Sequence, residues 1–173
     1  MEAIASAASV SKRTLYARFG SKMDLLVACI EYGVAQHLKP LSTVIAEGPP
    51  RARLLDVGSR LLDTALKPEA IGLEKLVTWI ANEQPALREE VQERGVEMAV
   101  SIIEKILDEG ANRGELVMND KAFTAAFVFD ALVVTPRNRI LIGRRLDNTR
   151  AAKRAYLQST IDLIFDGLSP RSD

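Results

Sequence analysis

The sequence predicts an all-α protein, with a small helix-turn-helix head followed by a helical-bundle body. Apolar residues recur at steps of three and four along nearly the whole chain, and convincing two-residue alternation is hard to find. The Gly48-Pro49-Pro50 break separates an N-terminal part from longer helical segments. The 173 residues suffice for a head and one bundle. We therefore expect a head with its connecting helix at residues 1–45 and a ligand-binding and dimerisation body at residues 46–173.

The overall composition restricts the class of protein but does not name a partner. Lysine and arginine number 23, and so do aspartate and glutamate, so any nucleic-acid signal must be local. A single cysteine, Cys29, excludes internal disulfides and fits a reducing cytoplasm. One cysteine and one histidine argue against a metal site, and we expect no cofactor. No signal peptide or membrane span is recognisable, which predicts a soluble cytoplasmic protein without a membrane partner.

The first 19 residues have the pattern of two short helices joined by a corner. The first helix has an apolar face with small residues for close approach, formed by Ile4, Ala5 and Ala8. Ser9-Val10-Ser11 then gives a break of the length that a helix-turn-helix corner needs. The second helix is predicted from Ser11, its N-cap, to Phe19, with Leu15 pointing inward.

The outer face of this second helix is basic. Between Val10 and Lys22 there are four basic residues and no acidic one. The candidate DNA-binding residues are Lys12, Arg13, Thr14, Tyr16, Ala17, Arg18 and Lys22. Lys12 and Arg13 lie in the first turn, which in a recognition helix meets base edges. A solvated basic face is the ordinary alternative for such a run, but its coincidence with the corner and the small-residue face favours DNA binding.

Three helices should follow the head. Ser21 and Asp24 have the spacing of a capping box, which predicts the start of a long helix. Pro40 lies inside its apolar stripe and should kink or end it. A second helix should stop at Pro68, and a third near Pro85.

A long helix is then expected from about residue 86 to 109, terminated by Gly110 and Gly114. Asn119 or Asp120 should cap the next helix.

That next helix is apolar almost all round from residue 122 to 134, and Pro136 should end it. The last helix should span roughly residues 149–167. Together these two helices suit an obligate dimer interface.

The segment from Arg137 to Arg154 is strongly basic, with seven basic residues against Asp147. Taken alone it could be a second nucleic-acid patch. Residues 83–97 are its acidic counterpart, and we expect the two segments to face one another within or across a dimer.

The first 30 residues resemble the head of TetR-family transcriptional regulators. The resemblance rests on residues 1–5 (MEAIA), residues 10–16 (VSKRTLY), Phe19, Ser21-Lys22 and Leu25-Leu26. It implies a homodimer with each head in a major groove, and a dimer interface made by the last two helices. By position, Lys12, Arg13 and Ala17 would face bases, whereas Thr14, Tyr16 and Lys22 would face phosphates.

The sequence departs from the family pattern at two places. Family heads have three helices, and the first would precede Met1, so we expect an N-terminally truncated head with two of three helices present. This should leave Ile4, Val10, Leu15 and Phe19 partly uncovered. Ser9 occupies the corner position that the family usually gives to glycine, and a left-handed backbone there would cost about 1–2 kcal/mol.

The resemblance also implies an effector cavity among the middle helices of the body. Candidate ligand-binding residues are Tyr32, His37, Trp79, Phe123 and Phe127. Ordinary core packing is the alternative for each of them.

The leading hypothesis is a homodimeric repressor that binds a palindromic operator and is released by a small-molecule effector of unknown identity. The alternative is a ligand-binding or dimerising module without independent DNA binding, because the head lacks its first helix. We do not expect an enzyme, since no nucleophile–base pairing, phosphate-binding loop or metal-spaced set appears.

Overall fold

The computed structural model describes residues 1–42, 48–83 and 85–170. Within these ranges the side chains of residues 34, 37–42, 80, 81, 83 and 85–95 are outside the description. Every regular element in the described part is helical, and no strand occurs there. The predicted all-α class is thus confirmed.

The N-terminal part consists of α1 (Glu2–Ala7), α2 (Lys12–Phe19) and α3 (Lys22–Ser42). The predicted capping box begins α3: the Ser21 amide donates to Asp24 Oδ2 at 2.9 Å, and the Asp24 amide donates to Ser21 Oγ at 3.0 Å. Pro40 does not end α3, which continues to Ser42.

The body begins with α4 (Pro50–Ala65), α5 (Pro68–Glu83) and α6 (Pro85–Asn112). The prediction that Gly110 terminates the long helix is wrong, because Gly110 lies inside α6. A Cβ atom there would come within 2.8 Å of Leu116 Cδ1 and 3.1 Å of Pro50 Cγ. Gly110 is therefore a position of close packing between α6, the start of α4 and the segment after α6.

Three further helices and a π-helical segment complete the described part of the body. Asp120 caps α7 (Lys121–Phe129), its side chain accepting from the Phe123 amide at 2.9 Å. The chain then passes through a π-helical segment (Asp130–Val134) directly into α8 (Thr135–Leu141). The last helix, α9 (Arg150–Leu168), has Thr149 as its N-cap, as predicted within a residue.

The prediction that Pro136 ends the apolar helix is wrong. The Thr135 amide bonds to the Asp130 carbonyl, five residues back, which widens the helix just before the proline. A wider turn accommodates the missing proline donor and the bulk of its ring without ending the helix. The helical path therefore continues to Leu141.

The main core lies where α4, α6, the α7–π segment and α9 meet, and its fully enclosed members include Leu54, Leu62, Ile103, Ile106, Leu132, Leu157 and Ile161. A second, smaller cluster surrounds Ile30 of α3, which packs against Leu73, Leu76 and Val77 of α5. This second cluster fixes the first half of α3, and with it the head, to the body.

Among the described residues, Arg53 is charged and yet buried, with only 5% of its surface exposed. Its guanidinium pairs with the Glu109 carboxylate through both terminal nitrogens, one contact measuring 3.3 Å. The hydrogen bond from Arg53 is the main reason that the pKa of Glu109 lies below its ordinary value of 4.5.

Lowering the pH should therefore decrease the free energy of unfolding, because Glu109 becomes protonated. Because the folded-state pKa is depressed, the pair stabilises the fold fully above about pH 4.5 and loses this contribution as the pH falls through the folded-state value. We expect Glu109→Gln to lower the free energy of unfolding at pH 7 and to flatten its dependence on acid. Urea unfolding at pH 7 and pH 4 measures both effects. An unchanged acid slope in the variant would contradict the assignment.

Candidate nucleic-acid interface

The corner between α1 and α2 is built by main-chain geometry. The amides of Ser9 and Val10 close the end of α1 on the carbonyls of Ser6 and Ala5, at 3.1 and 3.0 Å. Ser9 has φ 54°, so the left-handed backbone that the sequence predicted as a cost is present. The corner turns the chain sharply enough for α2 to pack across α1.

Replacing Ser9 with glycine should stabilise the head, because glycine adopts a positive φ without a Cβ penalty. The gain should be about 1 kcal/mol, since relief of backbone strain exceeds glycine's extra unfolded-state entropy. Gly20 provides the contrast: its φ is 60°, and a Cβ atom would meet Asp24 Oδ2 at 2.8 Å. Thermal unfolding should show Ser9→Gly raising Tm and Gly20→Ala lowering it. A lower Tm for Ser9→Gly would show that the serine side chain has a role that the strain argument omits.

Ser11 caps α2 as predicted, its hydroxyl oxygen accepting from the Thr14 amide at 3.0 Å. The same oxygen lies 2.7 Å from Thr14 Oγ1. Leu15 is buried at 8% exposure, and Phe19 is half-buried. Ile4 and Val10 remain 41% and 39% exposed, so part of the head's apolar surface faces outward, though Leu15 does not.

The seven candidate DNA-binding residues all lie on the exposed side of α2 and the start of α3: Lys12, Arg13, Thr14, Tyr16, Ala17, Arg18 and Lys22. The Arg18 guanidinium carbon lies 5.8 Å from the centre of the Phe19 ring, which holds it along the helix. Arg13 has no ion-pair or side-chain hydrogen-bond partner among the described residues. Its five donors are free for an incoming base edge.

Lys12 is engaged by a residue that the sequence reasoning missed. Its Nζ lies 2.9 Å from Oε1 of Glu2, across the corner. Both side chains are well exposed, so the pair contributes little to stability and can be exchanged for a phosphate or a base. A spacing of ten residues follows no helical repeat, and only knowledge of the corner's geometry could have predicted this contact.

The candidate effector residues are not brought together by the structure. Tyr32 and Trp79 are 67% and 51% exposed, on α3 and α5. Phe123 and Phe127 stack on the outside of α7, with ring centres 6.4 Å apart. The side chain of His37 is outside the described residues. Their role in ligand binding stays a prediction.

An open cleft of about 430 Å³ lies elsewhere, between the start of α4 and α9. Its lining combines apolar residues with Arg51, Glu115 and Gln158. Arg51 is held at its edge by Asp162, at 2.6 Å, and by the Phe165 ring. No cluster of histidine, cysteine or acidic residues fit to hold a metal occurs in the described part of the chain.

Four large apolar side chains of α7, the π-helical segment and α9 are exposed, and we call them the apolar face. They are Phe123 at 68%, Phe127 at 55%, Val134 at 37% and Leu163 at 74% exposure. Tyr156 Oη donates to the Ala131 carbonyl at 3.2 Å, which fixes α9 beside the π-helical segment.

Two side chains of the basic segment pair with other parts of the body, and the expected facing of this segment and residues 83–97 stays a prediction. Arg137 pairs with Glu74 of α5, and Lys153 Nζ lies 2.5 Å from Asp63 Oδ1 of α4. These partners lie outside the acidic stretch at residues 83–97, most of whose side chains are outside the description.

No helix of the described part is long and apolar enough to cross a membrane.

Two family models match the chain. Residues 1–29 match the model for bacterial regulatory proteins of the tetR family, and residues 52–167 match the C-terminal domain of AefR-like transcriptional repressors. HTH-type transcriptional regulators of Mycobacterium bovis and Mycobacterium tuberculosis are 29% identical over 116 residues, 67% of this chain. These residues cover 54% of each relative, so the match spans about half the length of the curated relatives.

Solved structures of low sequence identity share the fold. A TetR-family regulator from Mesorhizobium loti has a TM-score of 0.73 at 20% identity, covering 96% of this chain and 85% of its own. A Rhodococcus protein described as of unknown function has a TM-score of 0.75 at 21% identity, covering 98% and 84%. The helix-turn-helix geometry, the helical body and both family models agree: the chain belongs to the TetR family of bacterial transcriptional regulators.

Proposed function

We propose that this protein is an effector-released repressor that binds a palindromic operator as a homodimer in the cytoplasm. The observation that carries the proposal is the exposed face of α2, a helix without acidic residues, which presents Arg13 and Lys12 in its first turn. Donors in that first turn can read guanine acceptors in the major groove. Thr14, Tyr16 and Lys22 are suited to phosphates, which position the head without reading sequence.

Dimerisation is supported by the exposed apolar face of α7 and α9. Four large apolar side chains of α7, the π-helical segment and α9 are exposed, and exposed apolar side chains of this size are typical of protein–protein contacts. A second copy covering the apolar face by two-fold symmetry would place two heads side by side. Such symmetry requires a palindromic operator, each half read by one α2.

Release by an effector is supported by how the head is attached. The head continues directly into α3, and Ile30 anchors α3 on α5 of the body. A small molecule bound among the body helices with a preference for one placement of α3 would shift the separation of the two heads, and with it the affinity for DNA. Tyr32 and Trp79 lie on these two helices and are the first positions to test.

Selection of bound sequences from a randomised duplex library tests the proposal. We expect enrichment of an inverted repeat whose half-sites are one or more helical turns apart. Loss of the enrichment in Arg13→Ala would assign the reading to α2. Dimer formation without any enriched sequence would instead support the alternative function, a ligand-binding or dimerising module that does not bind DNA independently.

A further inference from the structure

The two helices that flank the loop between α8 and α9 are tied to the end of α4 and the first half of α5. On the α8 side, Arg137 Nε donates to the Ala65 carbonyl at the end of α4, at 3.0 Å, and its guanidinium pairs with Glu74. On the α9 side, Lys153 is held by Asp63. The loop is therefore fixed over the junction of α4 and α5.

The first half of α5, which follows that junction, packs on α3, the helix that continues from the head. Leu73, next to Glu74, packs on Ile30, the centre of the cluster between α3 and α5. Ile30 lies only eight residues after Lys22, the first residue of α3, a rise of about 12 Å. By contrast, Arg53 at the start of α4 pairs with Glu109 near the end of α6.

Four arginines of this region have no ion-pair partner among the described residues: Arg144, Arg145, Arg150 and Arg154. All four are exposed. We call them the loop arginines. The one acidic residue between them in sequence is Asp147, so the loop and the start of α9 keep a positive charge after Arg137 and Lys153 are neutralised by the body.

The backbone of the loop is also specialised. Arg145 has φ 63°, and apart from Ser9 in the corner of the head it is the non-glycine residue with positive φ in the described chain. An arginine there retains a conformation that costs about 1–2 kcal/mol. A glycine at this position would remove both this cost and the charge.

We propose that the loop arginines form a second DNA-contacting surface, which binds phosphates of the same duplex that α2 reads. The inference rests on the proposed function, because it requires the head to be on DNA. Unpartnered guanidinium groups are chemically complementary to a phosphate backbone. Contacts of this kind add affinity and salt dependence without adding base discrimination.

The test compares the salt dependence of binding to a duplex of about 40 base pairs recovered by the selection described above. The variant is Arg144→Gln with Arg145→Gln. The control is Lys105→Gln with Arg113→Gln, which removes the same charge from exposed positions in the last part of α6 and directly after it. A third variant, Arg144→Lys with Arg145→Lys, keeps the charge.

We expect the slope of log affinity against log salt to decrease by about 0.9 for each lost phosphate contact, so by roughly 2 to 4 in a dimer. Preference for the selected duplex over a scrambled one should remain unchanged. The control and the lysine variant should keep the wild-type slope. A slope equal to that of the control would overturn the second surface alone. Failure of the wild-type chain to bind any duplex would overturn the proposed function and this inference with it.

Discussion

Replacing Arg13 with alanine should weaken binding of the dimer to the selected duplex by about 30-fold or more, because each of the two heads loses a bidentate contact worth about 1–3 kcal/mol. Arg13 is exposed in the first turn of α2 and has no partner among the described residues, so the substitution removes no internal contact there. The variant should keep the Tm of the wild type. Fluorescence anisotropy with the selected duplex and a scrambled duplex measures the loss and its sequence dependence.

The distinguishing result is a loss of discrimination. If Arg13 reads a base pair, affinity for the selected duplex should decrease more than affinity for the scrambled duplex. Arg113→Ala removes the same charge at the end of α6 and should change neither. An equal decrease on both duplexes would assign Arg13 to phosphate binding and contradict its role as a reading residue.

Phe127→Asp should convert the dimer into monomers. The Phe127 ring is 55% exposed and stacks on Phe123, so the isolated chain should tolerate the change. In a two-fold interface the substitution removes two aromatic anchors and buries two carboxylates near the axis. The free energy of dimerisation should then become less favourable by about 4 kcal/mol or more, which corresponds to an increase of about 1000-fold in the dimer Kd.

Analytical ultracentrifugation at micromolar concentration measures this change. Val117→Asp is the matched control, because Val117 is also 55% exposed but lies between α6 and α7, outside the apolar face. The control should remain dimeric. If Phe127→Asp stayed dimeric as well, the interface would have to lie on another surface of the chain.

Features that depend on neighbouring residues in the sequence were predicted well, among them the starts of several helices and the exposed face of α2. Ser11, Ser21 and Asp120 cap helices where the sequence indicated, because capping depends on side chains within three residues. The left-handed backbone at Ser9 was indicated by the family resemblance, because the family usually has glycine at this corner position. Exposure of the basic face of α2 follows from burial of Leu15 on the opposite side.

The predictions for the body were wrong where contacts between residues far apart in the sequence determine the local structure. Gly110 was interpreted as a helix end, but contacts with Leu116 and Pro50 require a small residue in the middle of a helical turn. Pro136 was interpreted as a stop, and a π-helical turn accommodates it instead. The pairs Arg137–Glu74 and Lys153–Asp63 join residues 63 and 90 positions apart, which no sequence periodicity can indicate.

A competition titration tests most directly whether α2 reads the DNA sequence. The wild-type chain is titrated into a labelled selected duplex, and the same duplex with both half-sites scrambled is the competitor. The account predicts two chains per duplex and a preference of about 1000-fold or more for the selected sequence at physiological salt. Equal affinity for the two duplexes would contradict it, because the exposed face of α2 would then supply only charge.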